Sequence, residues 1–402
     1  MMNIDEQIKI ILKGVNEIIG LEDLKLKLEK ARKDNKELVV KLGLDPSAPD
    51  IHIGHTVVLR KMKQLQDLGH KVVIIIGDFT GKIGDPTGKS TARKALTTEK
   101  VLENAKTYET QIFKILDKNK TEVRFNSEWL GEMKLEKMIE LCSNMTVARM
   151  LEREDFKKRY ENQMPIAIHE FFYPLLQAQD SVEIKADIEI GGTDQRFNLL
   201  MGRMLQKVVG QEPQATIFMP LLEGVDGVEK MSKSLGNYIG IDESPAIIYE
   251  KAMSIPDELI IKYYNLVTDI HPNEVEKIEN ELKGGKVNPR DIKMNLAKEI
   301  VTLYHGKEES EKSEARFKSI FQKGEIPKDI NTIRVSKKNF DIVEVLVANK
   351  ISNSKNEIRR LASQGGVKIN SIKVKDLSKV ELNEELIVQI GKNKFLKIQG
   401  YI

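Results

Sequence analysis

The stretch "GDFTGKIGDPTGKST" (residues 77–91) follows an apolar run and has the outline of a phosphate cradle. A loop of the G-x-x-x-x-G-K-[ST] type would need a glycine at position 83, which is Ile; Gly84 lies one residue too close. Pro86 also removes a backbone N–H from a loop that would work by donating such groups. Two further patterns carry polar chemistry. "HIGH" (52–55) puts two histidines three apart, and "KMSKS" (230–234) puts two lysines three apart beside a hydroxyl. Two histidines at that spacing could ligate a metal, but no Cys and no His/Glu partner is close in sequence. The lysines are charges on flexible stems, suited to phosphate oxygens as much as to plain solvation.

The elements around these residues predict their placement. "ELVVKLGLD" (37–45) reads as a strand, "IGHTVVLRKMKQLQDLGH" as a helix closed by Gly69, and "KVVIIIGDF" as a strand buried on both faces. Together they make a βαβ unit, the signature of a doubly wound parallel sheet whose ligands sit at the carboxyl ends of the strands. "HIGH" and "IGDPTGK" both fall there. "ADIEIGGTDQ" and "QATIFMPLLEG" read as further strands, with "KMSKS" in the loop after the last. The first 35 residues and the stretch 95–165 read as mostly helical and charged. Beyond residue 240 amphipathic helices run to about 320, "QKGEIPKDINT" reads as a linker, and the tail reads as two helices, a turn and short strands.

At 402 residues the chain is too long for one ordinary core. Its 40% hydrophobic and 31% charged content is that of a globular protein. No apolar stretch reaches the roughly 20 residues a bilayer demands, and no secretory signal is legible, so a cytoplasmic protein without membrane partners is expected. The single cysteine, Cys142, excludes an internal disulfide and a cysteine-rich zinc site. Net charge is +3, unevenly spread: residues 331–402 carry 14 Lys and Arg against 7 Asp and Glu, leaving −4 for the rest. That basic end suits a polyanionic partner; a solvated charged surface is the plain alternative.

"HIGH" and "KMSKS", in this order and on these elements, resemble the class I aminoacyl-tRNA synthetases. "IGDPTGK", "YPLLQAQD", "IGGTDQ" and the basic tail narrow the likeness to bacterial tyrosyl-tRNA synthetases, over essentially the whole chain. The resemblance implies an α/β fold: N-terminal helices and a Rossmann-like catalytic domain (1–238), an all-helical tRNA-binding domain (239–322), a linker (323–335) and a small α+β RNA-binding domain of the αL type (336–402). It implies a tyrosine–tRNA ligase that makes tyrosyl-adenylate from tyrosine and ATP, then charges tRNA(Tyr), working as a homodimer. Mg²⁺ would accompany ATP, with no protein-bound structural metal. A tryptophan–tRNA ligase, or an RNA-binding protein that keeps a synthetase shell, are the alternatives.

The resemblance also implies residue roles. His52, His55, Lys230, Lys233 and Ser234 would be catalytic. Activation is an in-line attack by a carboxylate, with charge growing on phosphate oxygens, so positioned donors and cations serve it without a general base. Asp85, Tyr173 and Gln177 would hold the tyrosine ammonium, Asp180 the phenol, and Gln195 the reacting carboxylate or phosphate. Asp45, Gly54, Gly192, Asp194 and Lys233 would contact ATP. Lys89 and Arg93 match positions that meet pyrophosphate or tRNA. Lys355, Arg359, Arg360 and Lys368 would face tRNA. Lys41 stands where many members carry a tyrosine that also meets the phenol. It belongs with the tyrosine-binding set, either paired with Asp180 or directed into solvent.

Overall fold

The computed structural model describes residues 2–45, 51–87, 98–323, 330–336, 340–349, 351–352, 354–382, 385–391 and 394–401. The chain divides into two compact units, residues 1–306 and 307–402. Family-scale expectations for the first unit are met by a six-stranded sheet: β1 (Glu17–Ile19), β2 (Val39–Leu44), β3 (Lys71–Ile76), β4 (Thr121–Phe125), β5 (Ile188–Gly192) and β6 (Ala215–Met219), in the order β1-β6-β5-β2-β3-β4. All neighbours run parallel except β1, which is antiparallel to β6. The order reverses at β2, between β3 and β5, which opens a crevice at their carboxyl ends.

The central strands form because they are apolar on both faces: the last five residues of β3 are all buried, as are all five of β6. The two edge strands escape a reading by periodicity. β1 is three residues long, and β4 lies in a stretch that reads as helical and charged. β4 pairs only with β3 and is half-buried throughout, so it carries no apolar run. Partnership with a finished sheet edge decides both strands.

The helix Ile53–Asp67 joins β2 to β3 and is anchored at its middle. Arg60 pairs with Asp269 at 2.8 Å, and Lys61 donates to the Ile11 and Lys13 carbonyls at 2.9 and 2.7 Å. Its first turn is thereby held over the crevice. Between β4 and β5 five helices run from Ser127–Leu130 to Ile168–Glu183, and the last packs against Arg196–Val208 around Leu175, Leu176, Met201 and Leu205. After β6 come the helices Pro245–Ser254, Ile260–Val267, Pro272–Lys283 and Pro289–His305. Among the described residues no helix is long and apolar enough to cross a membrane.

The second unit begins with the helix Lys307–Phe317. Its sheet has the order β7-β11-β10-β8-β9, from β7 (Thr332–Ser336), β8 (Val367–Ile369), β9 (Ile372–Lys373), β10 (Glu385–Ile390) and β11 (Lys394–Tyr401). β7 falls in the stretch read as linker and pairs parallel with β11. The helices Ile342–Ala348 and Lys355–Ser363 bury Leu346, Ile358 and Ala362 against Val388, Leu396 and Ile398.

Candidate functional site

A cavity of about 390 Å³ opens at the carboxyl ends of β2 and β5. Its walls bring together Asp45, Gly54, His55, Asp85, Tyr173, Gln177, Asp180, Gly192, Asp194 and Gln195, which lie as far apart in sequence as residues 45 and 195. Lys41, His52, Lys230, Lys233 and Ser234 are not among the lining residues. Lys89 and Arg93 lie outside the described residues.

Two carboxyl groups of opposite character face this cavity. Asp180 is buried and accepts hydrogen bonds from Trp129 Nε1 at 2.8 Å and Asn126 Nδ2 at 3.3 Å. Burial pushes its carboxyl up to about 7, against the pull of Lys41 and of those two donors. Asp85 is held below the usual carboxylate range. Burial pushes it up, but Arg153 and hydrogen bonds from Thr87 and Gln195 outweigh that effect. Arg153 Nη2 reaches Asp85 Oδ1 at 3.1 Å, and Gln195 Nε2 reaches Oδ2 at 2.6 Å. Tyr173 donates its hydroxyl to Asp45 Oδ2 at 2.9 Å, and Thr80 Oγ1 donates to Asp45 Oδ1 at 3.1 Å. Asp45 is thus tied to a residue of the expected tyrosine set, and Gln195 to the expected ammonium site.

Lys41 takes neither expected course. Its ammonium is fully buried and pairs with Glu189 at 2.8 Å, not with Asp180 and not with solvent. The strand register explains this: Lys41 and Glu189 are direct partners across β2 and β5. Sequence spacing alone cannot reveal a pairing between residues so far apart.

The two short motifs meet through backbone. Ile53 N donates to Ile239 O at 2.9 Å, and His52 bridges Gly240, a few residues beyond "KMSKS". The His52 and His55 rings stack at 3.8 Å. Burial first, then His55 and Lys233, push His52 down to about 3; His55 moves down as well, through desolvation and Lys233. Both rings are therefore neutral at pH 7, each offering one N–H and one lone pair. Gly54 fits tightly here: a Cβ would stand 3.0 Å from the His52 ring and 3.4 Å from Met231 Cβ. Met231 is buried while its neighbours Lys230, Lys233 and Ser234 are exposed, and the loop is held by a Glu223–Lys230 backbone bridge and by Met231 N donating to Leu222 O at 2.8 Å. Asn237 shapes it from below, accepting from Ser232 N at 2.8 Å and donating to Asp226 at 2.7 Å. Lys233 lies 5.6 Å over the Tyr238 ring.

Trp129, Asn126, Arg153, Thr80, Glu189 and Asn237 support the site and are not singled out by sequence reasoning. Trp129 had one signal, being the only tryptophan of the chain. The others are ordinary polar residues whose roles come from what the fold sets beside them. In the second unit, Lys355, Arg359 and Arg360 are exposed on one helix whose buried side is Ile358 and Ala362, and Lys368 is half-buried on β8. Lys355 also pairs with Glu344.

A family model described as tRNA synthetases class I (W and Y) matches residues 33–322, and one described as Tyrosine--tRNA ligase SYY-like C-terminal domain matches residues 322–397. The Tyrosine--tRNA ligase 2 of Clostridium acetobutylicum is 63% identical over 398 residues, covering 99% of each chain. This chain belongs to the tyrosine–tRNA ligase family. The Tyrosine--tRNA ligase of Thermotoga maritima is 52% identical over 400 residues, covering 99% of this chain and 98% of the relative. The tyrosyl-tRNA synthetase of Archaeoglobus fulgidus, solved with L-tyrosine, has the same fold at 23% identity: its TM-score is 0.63, with 78% of this chain and 100% of that chain covered. A C-terminally truncated mitochondrial tyrosyl-tRNA synthetase of Aspergillus nidulans gives 0.63 at 22% identity, covering 80% and 95%.

Proposed function

We infer that this chain is a tyrosine–tRNA ligase: it activates L-tyrosine with ATP to tyrosyl-adenylate and pyrophosphate, then passes tyrosine to the 3′ end of tRNA(Tyr). The observation that carries the residue assignment is the pair of unlike carboxyls in one cavity. Ionised Asp85 suits an ammonium, and Asp180, braced by Trp129 and Asn126, suits a phenol hydroxyl. Tyrosine presents both groups. Leu42, Val58 and Ile75 add apolar lining to the same cavity.

In the reaction, a tyrosine carboxylate oxygen bonds to the α-phosphorus of ATP while the bond to the bridging oxygen breaks and pyrophosphate leaves. No proton has to be removed. The neutral His52 and His55 at a helix N-terminus would donate N–H to phosphate oxygens, and the exposed Lys230 and Lys233 would close over the β- and γ-phosphates. Mg²⁺ would travel with ATP as part of the substrate. Asp194, at the cavity wall, would meet the ribose, and Gly54 would let the nucleotide approach the backbone. The exposed face of Lys355, Arg359 and Arg360 would serve tRNA phosphates.

A homodimer is part of the same reading. Leu135, Ile139, Val147, Tyr160 and Ile168 are 61–75% exposed on consecutive helices between β4 and β5, an apolar face that a second copy would cover. Sedimentation of the parent and of Ile139→Glu tests it. Tyrosine-dependent ATP–pyrophosphate exchange, with tryptophan as control, followed by charging of tRNA(Tyr), tests the activity. Exchange that prefers tryptophan would reverse the assignment.

A further inference from the structure

At the cavity lies a buried ion pair, Lys41–Glu189, of which Glu189 is a lining residue. The side chains of Lys41 and Glu189 are 0% and 1% exposed and 2.8 Å apart. The ammonium also donates to Ser181 Oγ at 2.7 Å and to the Gln177 carbonyl at 3.1 Å, so its three hydrogens have three acceptors. Glu189 accepts in turn from Ser181 Oγ at 3.0 Å, from Gln177 Nε2 at 3.4 Å and from Gln214. A buried pair of this kind is a weak source of stability, because desolvation of both charges offsets their attraction. Its position suggests a different use. It joins β2 and β5 where the strand order reverses, and it grips the helical turn that carries Asp180.

We propose that Lys41 and Glu189 are positioning residues for recognition of the substrate hydroxyl: the pair pins residues 177–181 to the sheet and holds a positive charge against the helical turn that presents Asp180. This rests on the tyrosine–tRNA ligase reading above. Asp180 stands in an acidic neighbourhood. Asp45 just past β2 and Asp85 in the loop after β3 act, with Asp180, on the Tyr173 hydroxyl. Glu189 on β5 adds a further negative charge. Trp129 and Asn126, from the segment after β4, offer neutral donors. Against these, Lys41 supplies the positive charge that acts on Asp180, and it is the first influence to oppose the burial that pushes that carboxyl to about 7. Lys41 thus favours the acceptor form of Asp180 against burial.

The test uses Lys41→Met combined with Glu189→Gln, which keeps the buried charge balanced, and Glu189→Gln alone. The full-length proteins are compared. Trp129, the only tryptophan, donates to Asp180, so its fluorescence against pH reports that carboxyl without any substrate. Tyrosine and phenylalanine kcat/KM in pyrophosphate exchange are measured from pH 6 to 9. In the double variant the Trp129 fluorescence and tyrosine kcat/KM profiles should move up by about one pH unit, with tyrosine kcat/KM at pH 7 falling about fivefold and recovering at high pH, and with phenylalanine kcat/KM little changed. Glu189→Gln alone should move them down. Opposite signs are not the mark of a merely structural pair. Unmoved midpoints in both variants, or failure of the charge-balanced double variant to fold, would overturn the proposal. A parent protein without tyrosine-dependent exchange would instead overturn the underlying reading, and this proposal with it.

Discussion

Trp129→Phe isolates one hydrogen bond at the candidate site. Phe keeps a ring for Arg124, whose guanidinium lies 5.3 Å over the Trp129 ring, and removes the indole N–H that reaches Asp180 Oδ1 at 2.8 Å together with part of the ring volume, a packing loss that does not vary with pH. A hydrogen bond to a charged group contributes about 1.5–3 kcal/mol. At about 1.4 kcal/mol per pH unit, its loss raises the midpoint of Asp180 by about one to two pH units. Asp180 already sits at about 7, so the carboxylate share at pH 7 drops from about half to about one-tenth or less. Tyrosine kcat/KM in pyrophosphate exchange at pH 7 should therefore fall about 5- to 50-fold, and the deficit should shrink as pH rises. Phenylalanine, which lacks the hydroxyl, should be activated with little change. A deficit of the same size at every pH, or an equal loss for both amino acids, would refute the reasoning and assign Trp129 to packing.

Asp180→Asn should weaken the preference for tyrosine over phenylalanine in exchange while stabilising the fold above neutral pH. The sign follows from the raised carboxyl: from about 4 to 7 the native protein keeps a proton that the unfolded chain has released, so stability falls as pH rises through that window. The gain, of order a few kcal/mol, should appear as a higher melting temperature at pH 8 and vanish near pH 4. Lys230→Ala or Lys233→Ala should slow single-turnover adenylate formation by about 2–4 kcal/mol in barrier with little change in tyrosine affinity, because the contact is made chiefly in the transition state. Deleting residues 331–402 removes β7 to β11 whole and should spare tyrosine activation, since every assigned activation residue lies in the first unit. Charging of tRNA should be lost or severely reduced, and tRNA binding by the truncated chain should depend less steeply on salt.

Much of this protein is local in sequence and was legible there. The apolar run of β3, the helical spacing of Ile53–Asp67 and the glycine pair that ends β5 each declare their element, and together they place the ligand site at the strand ends. "HIGH", "KMSKS" and "YPLLQAQD" are short contiguous patterns, so the reaction class could be read from them. What the sequence left open depends on residues that meet only after folding. Strands β1 and β4 take their conformation from a sheet edge rather than from their own composition. Trp129 and Asn126 converge on Asp180 from some 50 positions away, and Arg153 reaches Asp85 across 68. Lys41 shows the difference most plainly. As a letter in "VKLGLDP" it could face solvent or Asp180; the register of β2 against β5 sets it opposite Glu189, and burial then leaves its charge no partner but one within reach of its own sheet and the helix above.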